Sequence, residues 1–150
     1  MEEINEVEEV SVDYVSPYTN MVKFLKVLSQ DLRVLHHCVT GPAFFDVHKQ
    51  LGEMYEDVDD IVDGLIEQGM TIGILEPSIE DSLILKPSVD IKLRNVKDTL
   101  TLVVEWVQTS IEYMEQAKQL VPSDIKNKIE EYEHTLRIWG LYKSNMAIAE

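Results

Sequence analysis

The chain has 150 residues, 28 of them Asp or Glu against 13 Lys or Arg, and its formal net charge of −15 excludes the counterion-releasing basic face that direct nucleic-acid binding requires. Apolar residues make up 45% of it, with only 6 Gly and 5 Pro, which suits long helices in one domain and leaves too few turns for an all-β fold. The single cysteine, Cys38, excludes an intramolecular disulfide framework. No apolar run of about eighteen residues exists to span a membrane, and Met1-Glu2-Glu3-Ile4-Asn5-Glu6 lacks the basic flank and apolar stretch of a secretory leader, so a cytoplasmic protein is expected.

Residues 1–16 read as an acidic tail and residues 17–150 as one helical domain. Ser16-Pro17 makes a helix entry, because proline's missing N–H costs least in a first turn. From Tyr18 to His37 the positions Met21, Phe24, Leu25, Leu28, Leu32 and Leu35 recur at spacings of three and four, the pattern of an amphipathic helix. Thr40-Gly41-Pro42 stops it.

A second helix is expected from Phe44 to Gln68, with Phe45, Val47, His48, Leu51, Met54, Tyr55, Val58, Ile61, Val62, Leu65 and Ile66 on one face and carboxylates such as Glu53, Glu56, Asp57 and Asp60 on the remainder. Gly69 is expected to close it as a C-terminal glycine, and the stretch to Pro87 reads as a connection with one short helix. A third run, between Ser88 and Leu120, carries Ile91, Leu93, Val96, Leu100, Val103, Val107, Ile111 and Met114. The last, from Asp124 to about Ala147, carries Ile125, Ile129, Tyr132, Leu136, Trp139 and Tyr142 at helical spacing, with Ser123 or Asp124 as its N-cap. No strands are predicted. Four helices with a long middle connection imply an all-α, antiparallel four-helix bundle, its two hairpins joined by a crossover.

Four side chains stand out as metal ligands. His36 and His48 bracket the Gly41-Pro42 turn, and Asp63 and Glu67 lie one turn apart further along the second helix. Imidazole and carboxylate together suit divalent iron or zinc, although a helix so rich in acid will also show this carboxylate spacing by chance. Fifteen residues of helix place Asp63 roughly 22 Å along the axis from His48. One chain therefore cannot close a site from all four, and a shared site needs a second copy across a two-fold axis. His134, Trp106, Trp139 and Cys38 read as surface, core or interface residues.

The stretch from Leu35-His36-His37-Cys38 through Thr40-Gly41-Pro42-Ala43-Phe44-Phe45-Asp46-Val47-His48, followed by Asp63 and Glu67, resembles the metal-site signature of the Dps family of mini-ferritins. Tyr132-Glu133-His134-Thr135-Leu136-Arg137-Ile138-Trp139 is similar, less specifically, to that family's closing helix. The resemblance implies an intersubunit ferroxidase centre in which His36 and His48 of one subunit meet Asp63 and Glu67 of another. It further implies Fe as the metal, two-fold dimers assembled into a hollow dodecameric shell, and iron storage or detoxification by oxidation of Fe(II).

Three departures accompany the resemblance. Gly52 stands where the family has an acidic ligand, His37 and Cys38 replace an aromatic residue and Asn, and the acidic tail lacks the lysines of DNA-compacting members. On a helix, position 52 lies one turn beyond His48 on nearly the same face, so Gly52→Asp is expected to add the missing carboxylate. Glu56 is the neighbouring acid best able to turn inward. The alternative reading is a ferritin-like bundle with a degenerate metal site that serves as a structural or partner-binding subunit.

Overall fold

The computed structural model describes residues 15–149. The acidic tail expected over residues 1–16 falls outside them as far as residue 14, and Val15 and Ser16 already belong to the first helix, α1 (Val15–Cys38). Pro17 sits in its first turn, where no helical N–H partner is lost. The helix buries Tyr18, Met21, Val22, Leu25, Leu28, Leu32 and Leu35, and also Ser29 and Asp31, because other elements cover more than one of its sides.

The next helix, α2 (Phe44–Thr71), buries Val47, Leu51, Met54, Val58, Ile61 and Leu65 on one continuous stripe, while Phe45, expected on the same face, is 81% exposed and Tyr55, Val62 and Ile66 at its edge are half-buried. Its end differs from the expectation. Gly69 remains helical and buried, and the turn is made by Gly73, whose φ is +80°. Ile74 N–H donates to Gly69 O at 2.9 Å and Gly73 N–H to Met70 O at 3.2 Å, which satisfies carbonyls the helix would otherwise orphan. Gly69 serves close approach instead, since a Cβ there would stand 2.9 Å from Tyr18 Cε1.

The crossover holds the short helix α3 (Ile79–Leu85), capped by Ser78 Oγ, which accepts from Asp81 N–H at 3.1 Å. Beyond it the chain runs extended to Asn95, so the third long helix, α4 (Val96–Lys118), starts eight residues later than the Ser88 the pattern indicates. The reason is Asp31, buried on α1. It is paired with Lys86 Nζ and accepts from Val89 N–H at 3.1 Å, and these partners require a non-helical backbone. Ile91 and Leu93 are consequently 81% and 73% exposed. The crossover also closes with a pairing that no local pattern announces: β1 (Val39–Thr40) runs parallel to β2 (Arg94–Asn95). Asn95 then caps α4 through Oδ1, which accepts from Asp98 N–H at 2.7 Å.

The final helix begins as α5 (Ser123–Leu136) with Pro122 at its N-cap, so neither Ser123 nor Asp124 caps it. It then widens into a π-helical segment, Arg137–Lys143, before α6 (Ser144–Ile148). Gly140 lets the segment press against α4, since a Cβ there would stand 2.3 Å from Val107 Cγ2. The inserted residue turns Trp139 so that its indole N–H donates to Asp57 Oδ2 of α2 at 2.7 Å. Helices α1 and α2 form one hairpin and α4 and α5 the other. Cross-packing of α1 on α4 and of α2 on α5 makes them a four-helix bundle around Met21, Leu25, Leu28, Met54, Val58, Val103, Met114 and Ile129.

Candidate metal centre

The α1–α2 turn brings His36 and His48 together. Their rings stack with centroids 3.8 Å apart and planes inclined by 13°. Each ring also bonds to the other residue's backbone, His36 Nδ1 to His48 O at 2.5 Å and His48 Nδ1 to His36 O at 2.7 Å. A carbonyl oxygen only accepts, so both Nδ1 atoms carry the hydrogen, and a neutral ring then holds its lone pair on Nε2. This is the arrangement in which a histidine is oriented and its tautomer fixed for metal ligation. The bond to His36 O also satisfies a carbonyl in the last turn of α1.

Aromatic rings enclose the pair: Phe44 stacks on His48 at 4.9 Å, and Tyr55 meets His36 edge-on at 5.5 Å. Burial holds the His36 imidazole below the usual histidine range, opposed by its hydrogen bond to the His48 carbonyl; the neighbouring His48 and His37 lower it further and Glu56 raises it. Glu56 thus lies within electrostatic reach of the pair, although its side chain is exposed. Gly52 has a role that the sequence does not disclose. A Cβ at this position would stand 2.8 Å from His36 Cε1 and 3.2 Å from its Nδ1, so the missing side chain makes room for the ring.

Asp63 and Glu67 lie exposed on the distal half of α2. Among the described residues neither is held in an ion pair, whereas Asp57 is engaged by Trp139 and Asp59 by Ser29 and Arg33. Glu53, Glu56 and Asp60 share that freedom, and Glu56 and Asp60 share the four-residue spacing as well, so neither availability nor spacing distinguishes Asp63 and Glu67 within one chain. Between them is Gly64, and a Cβ on it would stand 2.2 Å from the hydroxyl oxygen of Tyr132. Tyr132, which the sequence shows only as one of the regularly spaced positions of the last helix, is therefore a neighbour of the carboxylate pair; a glycine inside an otherwise regular helix was the available signal.

Among the described residues of one chain, no three His, Cys, Asp or Glu side chains converge closely enough to hold a metal ion. The two histidines and the two carboxylates are separate halves. Outside them, His37 and His134 are exposed and Cys38 is a half-buried free thiol. Trp139 is largely buried, and Trp106 is half-buried with Lys86 Nζ 4.2 Å from its ring centre.

No family model matches the chain, and no curated protein does. Solved structures do. Antigen TpF1 from Treponema pallidum superposes with a TM-score of 0.84 at 21% identity, over 91% of this chain and 92% of its own. Dps from Microbacterium arborescens in the high iron form gives 0.84 at 15% identity, over 91% and 93%. Dps from Listeria innocua soaked with cobalt gives 0.78 at 16% identity, over 92% and 94%. At these identities the likeness establishes architecture, and the chain has the ferritin-like four-helix fold of the Dps mini-ferritins.

Proposed function

We propose that this protein binds Fe(II) between two-fold-related copies of itself and oxidises it, with His36 and His48 of one subunit facing Asp63 and Glu67 of the partner subunit. The observation that carries this reading is the crossed pair of Nδ1 hydrogen bonds, which fixes both rings and leaves the lone pair of each neutral imidazole on Nε2 for a metal. Imidazole nitrogens with carboxylate oxygens suit iron, and carboxylates favour the more highly charged Fe(III) product. The lowered proton affinity of His36 leaves its ring available to a cation at neutral pH. The structural neighbours solved in a high iron form and with cobalt support a metal-handling role.

A second copy also has a surface to cover. Ile79, Leu83 and Ile91 join Val27 and Val34 of α1 around an open groove of about 350 Å³, and Ile84 beside them is 80% exposed. Apolar exposure of this kind is typical of an assembly surface. Shell formation from such dimers, with iron stored inside, completes the proposal.

Aerobic Fe(II) added to the purified protein is expected to give ferric absorbance faster than buffer does, with dioxygen or peroxide, and His48→Ala with Asp63→Ala is expected to remove the acceleration and tight Fe(II) binding while leaving helical content intact. Gly52, which supplies no ligand, favours a second reading in which the bundle is a structural subunit. Fe(II) bound without acceleration by either oxidant would select it.

A further inference from the structure

Three glycines of α2 are covered by aromatic rings from elsewhere in the fold: Gly52 by His36, Gly64 by Tyr132 and Gly69 by Tyr18. The two tyrosines differ in what their hydroxyls do. Tyr18 is buried, and its O–H donates to Leu65 O at 2.5 Å, which accounts for it as a strut between α1 and α2. Tyr132 is half-buried, and among the described residues its hydroxyl has no hydrogen-bond partner. That oxygen rests on the bare backbone of Gly64, immediately after Asp63 and one turn before Glu67. At 100° per residue, position 64 lies roughly 60° around the helix from position 67 and roughly 100° from position 63, so the phenol oxygen borders the Glu67 side of the turn that carries both carboxylates.

We infer that Tyr132 is a third oxygen donor of the carboxylate half-site, its phenol oxygen binding the ferric product beside Asp63 and Glu67. The inference rests on the reading that these carboxylates take up iron. Its chemistry is that of a small, highly charged cation, which prefers hard anionic oxygen ligands. On binding, the O–H bond breaks, an oxygen–iron bond forms and the proton leaves to water; iron is already Fe(III), so no further oxidant is needed. The surroundings agree with this role. Burial raises the phenol's pKa, Lys128 lowers it, and Glu131, Glu67 and Asp63 lie close enough for their charges to raise it further. Gly64 makes the arrangement specific, since any larger residue would displace the hydroxyl.

A phenolate bound to Fe(III) has a visible charge-transfer band and enhanced tyrosinate ring modes in resonance Raman spectra, neither of which carboxylate or imidazole ligands give. The whole protein loaded with ferric nitrilotriacetate, with iron content confirmed by metal analysis, is expected to show both. Tyr132→Phe is expected to lose them, and Tyr18→Phe to keep them. Circular dichroism checks that each variant is folded, and Gly64→Ala provides an independent arm that moves the hydroxyl without deleting it and should also lose the band. Iron bound in an Asp63- and Glu67-dependent way without the band, or a band that survives in Tyr132→Phe, overturns the assignment of Tyr132 and leaves the carboxylate site standing. Iron uptake unaffected by Asp63→Ala with Glu67→Ala overturns the site itself and the role of Tyr132 with it.

Discussion

The imidazole of His36 occupies the space that a side chain at Gly52 would fill, with its Cε1 2.8 Å from the position of a Cβ there. The ring is pinned by its bond to His48 O and by stacking on the His48 ring. The expectation that an acid at position 52 simply adds a ligand is therefore revised: the new side chain and the existing ligand compete for one place. Gly52→Ala is expected to weaken Fe(II) binding by about tenfold, the effect typical of disturbing a ligand's supporting contacts. Gly52→Asp is expected not to raise the iron stoichiometry. Helicity should hold, because either residue is a better helix former than Gly. Anaerobic titration calorimetry tests this, and unchanged affinity in Gly52→Ala, or a second iron gained in Gly52→Asp, would contradict it.

The separation of the two half-sites along α2 leads to a complementation experiment. Subunits carrying His36→Ala and His48→Ala, and subunits carrying Asp63→Ala and Glu67→Ala, should each fail to bind Fe(II) tightly as homodimers. A mixed dimer should regain one site of near wild-type affinity. Isolation of the mixed dimer by differential tagging, followed by Fe(II) titration, measures this, and heterodimers that form without recovering binding would exclude a shared site.

The buried pair of Asp31 and Lys86 holds the crossover against α1, with Lys86 Nζ also over the Trp106 ring. Removing one partner leaves the other charge buried and unpaired. Asp31→Ala is expected to cost about 3 kcal/mol in urea unfolding, and Asp31→Leu combined with Lys86→Met to recover most of it. A loss below about 1 kcal/mol for the single variant would show that the pair is solvated and does not anchor the crossover.

A pH effect follows from Glu133, which is 1% exposed and has one carboxylate oxygen without a hydrogen-bond partner among the described residues. Burial, reinforced by Glu115, pushes its carboxyl up to about 7, with Lys118 opposing. The single Lys118 ammonium is shared with Glu115 and Glu130. A carboxyl whose folded pKa is raised stabilises the fold below its unfolded value near 4.5 and loses that contribution as pH rises through about 7. Glu133→Gln removes this dependence. Between roughly pH 5 and pH 8 its stability relative to the native chain should improve by roughly 2 kcal/mol, as read from denaturation midpoints at each pH; a relative stability that is flat or falls would contradict the assignment.

Helix existence was legible in the chain because the signal is local. Val47, Leu51, Met54, Val58, Ile61 and Leu65 lie on one stripe of α2 whatever that helix packs against. The spacing of His36, His48, Asp63 and Glu67, and the inability of one straight helix to bring its own ends together, also follow from sequence and rise per residue alone. Tertiary structure decided the rest. The late start of α4 depends on Asp31, buried on α1 and distant in sequence, demanding Lys86 and the Val89 N–H. The π-helical turn exists where Trp139 reaches Asp57 and Gly140 meets Val107. Gly52, Gly64 and Gly69 look alike as letters, yet the rings that cover them, His36, Tyr132 and Tyr18, come from other helices. A periodic pattern tells which face of a helix is buried, whereas close approach between helices depends on which side chains meet there, and only the packed bundle determines that.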